Sequence, residues 1–180
     1  MEGGISRADI WDSAGKAGLV LGAVSSAYLA LSHFMTGTSS TAMAVVMSLL
    51  DILLWALKFA GCIILMKLFM TRFAASHEGA TNSDTFKFGM ATALLSALIY
   101  AGFYLAYATI LAPDVFAEAI DAVKEGYSSM MTQEALDSID SMNLGSISFF
   151  SNLIYCFIYG TVLSSILSRN IPSRNPFDGQ

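Results

Sequence analysis

The chain has 180 residues, a formal net charge of −5 and a pI near 4.8, with 55% hydrophobic and only 13% charged residues. Soluble domains carry about 25% charged residues, so this composition and a mean hydropathy of +0.61 argue against an ordinary soluble globular domain. The acidic balance argues against a nucleic-acid binder. The apolar content argues against disorder, and two cysteines inside apolar runs make no disulfide framework.

What remains is an all-α, polytopic membrane protein. A spanning helix needs about 20 mostly apolar residues. Four windows meet that, at 17–35, 42–66, 88–112 and 146–168, within one membrane domain covering 1–180. Barrel strands would alternate and stop after about ten residues.

The first window has no Asp, Glu, Lys or Arg. Glu2, Asp9 and Asp12 ahead of it, and its length, make it a retained span, because a signal peptide wants a basic start and a shorter apolar stretch. Gly18, Gly22, Ser26 and Ala30 place a small residue at every fourth position. Small residues let helix backbones approach in lipid, either within the bundle or between copies of the chain. A short turn at 36–41 makes spans one and two antiparallel neighbours.

The second window is interrupted by Asp51 and Lys58. Seven residues apart, they share a helix face about 10 Å apart along the axis, with Trp55 on that face. A central charge costs about 2.5–3.5 kcal/mol on insertion scales, so it faces protein or water. Lys58 is therefore expected to turn from lipid toward span four or a partner. The pair is either structural, a contact for an anionic lipid, or part of an ion relay. The segment 71–87 is expected to be an inner loop, with Asn82 or Ser83 capping the turn into span three.

Span three repeats the small-residue pattern at Gly89, Ala93, Ala97 and Ala101, and crowds Tyr100, Phe103, Tyr104 and Tyr107 into its outer half. Asn152, Tyr155 and Tyr159 share a face of span four. Interfacial belts account for Tyr104 and Tyr107. Tyr100, Tyr159 and Asn152 sit deeper, which leaves two arrangements open: an aromatic-lined pocket around Lys58, or simple interhelical hydrogen bonding.

Between spans three and four, residues 113–143 are expected to form a two-helix extracytoplasmic cap. Pro113 suits a first helical turn. Val115, Phe116, Ile120 and Val123 fall on one face; Asp114, Glu118, Asp121 and Glu125 fall on another. Gly126 is placed as the stop, and a second short helix falls near 133–142.

Seven of the nine basic residues (Arg7, Lys16, Lys67, Arg72, Lys87, Arg169 and Arg174) lie on one side. Basic loops stay cytoplasmic, so both termini are expected inside, in a bacterial inner membrane. No enzyme is expected. His33 and His77 fall on opposite sides of the membrane, Cys62 and Cys156 lie in apolar surroundings that favour inert thiols, and no phosphate-cradling glycine loop is present. The acidic outer segment has no calcium-loop spacing, so neither metal nor cofactor is expected.

Thr85-Phe86-Lys87-Phe88-Gly89, the aromatic run to Tyr107, Pro113-Asp114-Val115-Phe116, Met131-Thr132-Gln133-Glu134-Ala135-Leu136 and the basic, proline-containing exit of span four together resemble a known family. It is the bacterial membrane family catalogued as domain of unknown function 4199, and the resemblance covers 15–172. Many members carry a more basic inner loop than 71–87. The resemblance implies four helices and no established activity. Members are often encoded beside a polyprenyl-phosphate glycosyltransferase, which implies such a partner. The expected function is thus a non-catalytic accessory or scaffold subunit for that enzyme. The competing class is a small transporter or lipid-binding protein using Asp51 and Lys58. A scaffold implies a dry bundle; a transporter implies a cavity reaching Lys58.

Overall fold

The computed structural model describes residues 5–35, 41–127, 130, 132, 134 and 143–172. The elements are α1 (Arg7–Met35), α2 (Thr41–Ser76), α3 (Asn82–Ala106), a π-helical turn (Tyr107–Leu111), α4 (Pro113–Tyr127) and α5 (Leu144–Arg169). Among the described residues, regular structure is helical throughout. Four helices are long and apolar enough to cross a membrane: α1, α2, α3 with its π turn, and α5.

Both α1 and α2 outrun their apolar windows. Helix α1 starts at Arg7 because Ile10, Ala14, Ala17 and Leu21 are buried at spacings of three or four residues. That stripe carries the core face into a segment whose other side is charged, where Lys16 pairs with Asp12 at 2.7 Å. Helix α2 has 36 residues, roughly 54 Å at 1.5 Å per residue. It continues to Ser76, so all of 71–76 is helix where a loop was expected. Met66, Met70, Phe73 and Ala74 are buried along its last turns, and the Phe73 ring stacks on Phe88 of α3 at 4.4 Å and 7°. The connection shrinks to a turn at 77–81, in which Gly79 takes a φ of +79° that favours glycine.

The cap of α3 is Thr81, not Asn82 or Ser83. Thr81 Oγ1 accepts the Asp84 N–H at 3.2 Å, and the Thr81 N–H donates to the Asp84 carboxylate at 3.3 Å. A reciprocal box needs an acidic or amide side chain three residues on. Thr81 has one; Asn82 and Ser83 face Thr85 and Phe86 instead. At its other end α3 widens into the π turn, closed by the Ala112 N–H on the Tyr107 carbonyl at 2.9 Å. Pro113 disfavours helical geometry in the residue before it, and Ala112 leaves the helix at φ −145°, ψ 57°. Helix α5 begins at Leu144, capped by Asn143 Oδ1 accepting the Ser146 N–H at 3.1 Å.

Helix α3 is the centre of the bundle, with α1 and α5 packed along it. Helix α2 touches α1 more than α3 or α5. Glycine permits the close approaches. A Cβ on Gly18 would meet Leu95 at 2.8 Å, one on Gly22 would meet Ile99 at 2.8 Å, and one on Gly160 would meet Ala93 at 2.5 Å. Gly89 faces Ser164, whose hydroxyl turns back to the Gly160 carbonyl at 2.6 Å.

The packing is lopsided. The core joins Ile10, Ala14 and Leu21 to Met66, Met70, Phe73, Phe88 and Ile171, all near the end where α1 starts and α5 stops. On α2, no described residue before Met66 is buried. The helix is clasped at one end and stands away from the bundle along the rest.

Pro113 opens α4 as expected, and Asp114, Glu118, Asp121 and Glu125 are exposed. The helix runs through Gly126 to Tyr127 instead of stopping at the glycine. Its contacts go to the π turn. The side chains of Val115, Phe116, Ala119 and Val123, the second short helix expected near 133–142 except for residue 134, and the turn at 36–40 lie outside the described residues.

Candidate functional site

Where α2 leaves the packed end, the four long helices enclose a cavity of about 110 Å³. Leu21 and Met66, both members of the core, line it on the closed side. Ser25 of α1, Lys58 and Cys62 of α2, Ser96 and Tyr100 of α3, and Cys156 and Tyr159 of α5 contribute to its wall. The wall is mostly apolar and aromatic, and Lys58 is its one ammonium.

The Lys58 ammonium lies 5.0 Å from the Tyr28 ring centroid and 5.0 Å from the Tyr100 ring centroid. Two aromatic faces thus hold one cation, an arrangement worth about 2 kcal/mol or more per face when desolvated. The ammonium points to α1 and α3, not to span four alone. Asp51 does not pair with it. The ion pairs among the described residues are Lys16–Asp12, Lys87–Asp84 and Lys124–Asp121. Asp51 instead accepts a hydrogen bond from the Tyr28 hydroxyl at 3.2 Å. Tyr28 therefore links the two charges, its hydroxyl on the carboxylate and its ring under the ammonium.

Trp55 keeps to the Asp51–Lys58 face but is not part of the cavity wall. It is 51% exposed and meets Phe59 in a tilted contact at 5.0 Å, which in turn meets Tyr159 at 4.9 Å. Four residues advance a helix by about 400°, so Trp55 is turned about 40° from Asp51, toward the rim. Tyr155 lines the cavity yet is 65% exposed, which puts it at the α2–α5 edge. Asn152 does not line the cavity: its Nδ2 donates to the Ser148 carbonyl of its own helix at 2.8 Å. Tyr100 and Tyr159 are both in the wall.

The small residues lie mainly on the α1–α3 and α3–α5 seams, with Ala93 and Ala97 buried on α3. Ser26 is buried beside a shallow outer groove between α1 and α3, and its Oγ has no hydrogen-bond partner among the described residues. Sequence reasoning missed Tyr28, Ser25 and the two cysteines as parts of one site. Ser25 Oγ and Cys62 Sγ lie 3.8 Å apart. The signal for Tyr28 was a lone tyrosine in a chargeless span, two residues from Ser26 and Ala30 of the small-residue ladder. Among the described residues, no three His, Cys, Asp or Glu side chains gather as a metal site.

Fold and site define a multi-pass helical membrane protein with a charged, aromatic-walled cavity at membrane depth. The chain belongs to the family described as protein of unknown function (DUF4199), whose model matches residues 16–169. No curated protein and no solved structure matches the chain.

Proposed function

We propose that this chain is a non-catalytic integral membrane accessory subunit that positions a membrane-associated polyprenyl-phosphate glycosyltransferase. The supporting observation is the open flank of α2. Among the described residues none of α2 before Met66 is buried, and Val45, Leu49, Ile52, Leu53 and Leu57 are all exposed along it. A long apolar flank clasped at one end suits a lateral helix–helix contact, which in lipid rests on packing. Purification of the full chain in mild detergent should bring down a polyprenyl-phosphate glycosyltransferase, identified by mass spectrometry. Leu53→Ala with Leu57→Ala should cut its recovery at least about fivefold while leaving the bundle folded, since exposed positions cost little. A chain recovered without any glycosyltransferase would overturn the scaffold reading.

The membrane is proposed to be the bacterial inner membrane, with both termini cytoplasmic and α4 outside. The support is the charge asymmetry of seven basic residues out of nine on one side. In intact spheroplasts, cysteine at Ser128 should react with an impermeant maleimide and cysteine at Ser173 should not. The reverse labelling contradicts this orientation.

A second reading, a lipid-binding or small transport protein, is favoured by one observation. The cavity reaches Lys58, whereas a pure scaffold would have a dry, closed bundle. In this reading the cavity binds a ligand that arrives through the bilayer. The same experiment separates the two: a scaffold depends on Leu53 and Leu57, a binding protein on Lys58.

A further inference from the structure

Lys58 carries a charge at membrane depth with aromatic faces on two sides and no described carboxylate within 4.0 Å. Buried charges in proteins are paired, and intramembrane ones mark pathways or binding sites. The nearest candidate counter-ion on its own helix, Asp51, is engaged by the Tyr28 hydroxyl. Asp51 keeps its charge but stays out of contact, so among the described residues no anion touches the ammonium, and the cavity lies beside it. We propose, resting on the binding-site reading above, that the cavity takes the carboxylate head of a single-chain lipid, a fatty-acid-like monoanion whose tail lies along α2.

The charge, size, depth and access of the cavity each narrow the choice. One ammonium balances one negative charge; a phosphate monoester carries about −1.5 to −2 at neutral pH. A cavity of about 110 Å³ that opens to one side suits a compact head whose chain leaves through the opening. Lys58 lies about 12 Å along the helix from Met66, the inner end of the apolar window. The phosphate of a bilayer phospholipid is held at the interface, beyond that reach. A fatty acid can cross that distance in its neutral, protonated form and release its proton to water entering the open side of the cavity, which leaves the carboxylate on the ammonium. Access comes from the lopsided packing. Helices α2 and α5 touch only sparsely, and half-exposed Trp55 and exposed Tyr155 flank the mouth between them. The tail would lie there against Phe59 and Tyr155, with the Ser96 hydroxyl in the wall as a further donor for the head.

The test uses the full chain in phosphatidylcholine nanodiscs, photolabelled with a diazirine analogue of oleate and mapped by peptide mass spectrometry. Unlabelled oleate, oleyl alcohol, oleyl phosphate and acetate serve as competitors. Label should attach to peptides carrying Tyr28, Lys58, Tyr100 or Tyr155. Oleate should compete at least tenfold better than oleyl alcohol, oleyl phosphate or acetate. Lys58→Met should abolish that preference and Lys58→Arg should retain it within about threefold. The ligand panel on the unmodified chain stands even if Lys58→Met fails to fold. Equal competition by oleate and oleyl alcohol would overturn the anion assignment and leave the cavity as a lipid site. Stronger competition by oleyl phosphate would overturn the carboxylate. Labelling that no competitor displaces would overturn the binding-site reading itself.

Discussion

Gly160→Leu is expected to disassemble the bundle. A Cβ at this position would already lie 2.5 Å from the Ala93 Cβ and 3.4 Å from its Cα, and the atom in the way belongs to a short side chain with no rotamer to yield. Helices α3 and α5 form one of the two broadest seams in the molecule. Pushing them apart would also displace the Ser164–Gly89 contact one turn away. Overpacking a well-filled site costs about 1–3 kcal/mol, and four added carbons at a backbone crossing belong at or above the top of that range. The reading comes from SDS titration of the chain in mixed micelles, followed by circular dichroism. Gly61→Leu is the control, because a Cβ there meets nothing within 4 Å; it should shift the midpoint by no more than about 0.5 kcal/mol. Equal effects at the two glycines would show that α3 and α5 do not cross as described.

The second large effect is expected at the clasped end. Phe88 is 2% exposed and stacks face to face on Phe73. It is the main aromatic tie between the last turns of α2 and the first turns of α3. Phe→Ala in a packed core costs about 3–5 kcal/mol, depending on how far the site collapses. Phe88→Ala should therefore destabilise far more than Leu57→Ala, which removes an exposed side chain on the open stretch of the same pair of helices. It should also loosen α2, raising proteolysis in the turn 77–81. Similar losses at Phe88 and Leu57 would contradict a helix clasped at one end only.

The spans were legible because hydrophobic length alone specifies them. Their ends were not, for a physical reason. At 7–16 the buried stripe of Ile10 and Ala14 is diluted by charges on the other faces of the helix. At 67–76 Met70, Phe73 and Ala74 are similarly interleaved with Lys67, Arg72 and Thr71. Window hydropathy averages around the helix and loses such stripes. The cap at Thr81 was present in the sequence as Thr81 with Asp84 three residues later, and was hidden by the more conspicuous Asn82 and Ser83.

The site divides in the same way. Lys58, Tyr100 and Tyr159 stand out as polar groups inside apolar runs, and all three line the cavity. The partner of Asp51 did not stand out, because helical spacing relates residues on one helix and says nothing of which neighbour a face meets. Asp51 and Lys58 share a face, yet Tyr28 of a different helix engages both. Asn152 shows the converse: a polar side chain at depth that satisfies itself on its own backbone. Cys62 and Cys156 carried no sequence signal, since thiols in apolar runs are unremarkable as core residues.

The central claim is that Lys58 points into the bundle between α1 and α3. Replacing it with photo-lysine, a diazirine isostere, and irradiating intact membranes tests this most directly. Cross-linked peptides should come from the stretch around Tyr28 in α1 and around Tyr100 in α3. Adducts confined to phospholipid acyl chains, with no peptide of α1 or α3 attached, would contradict the account.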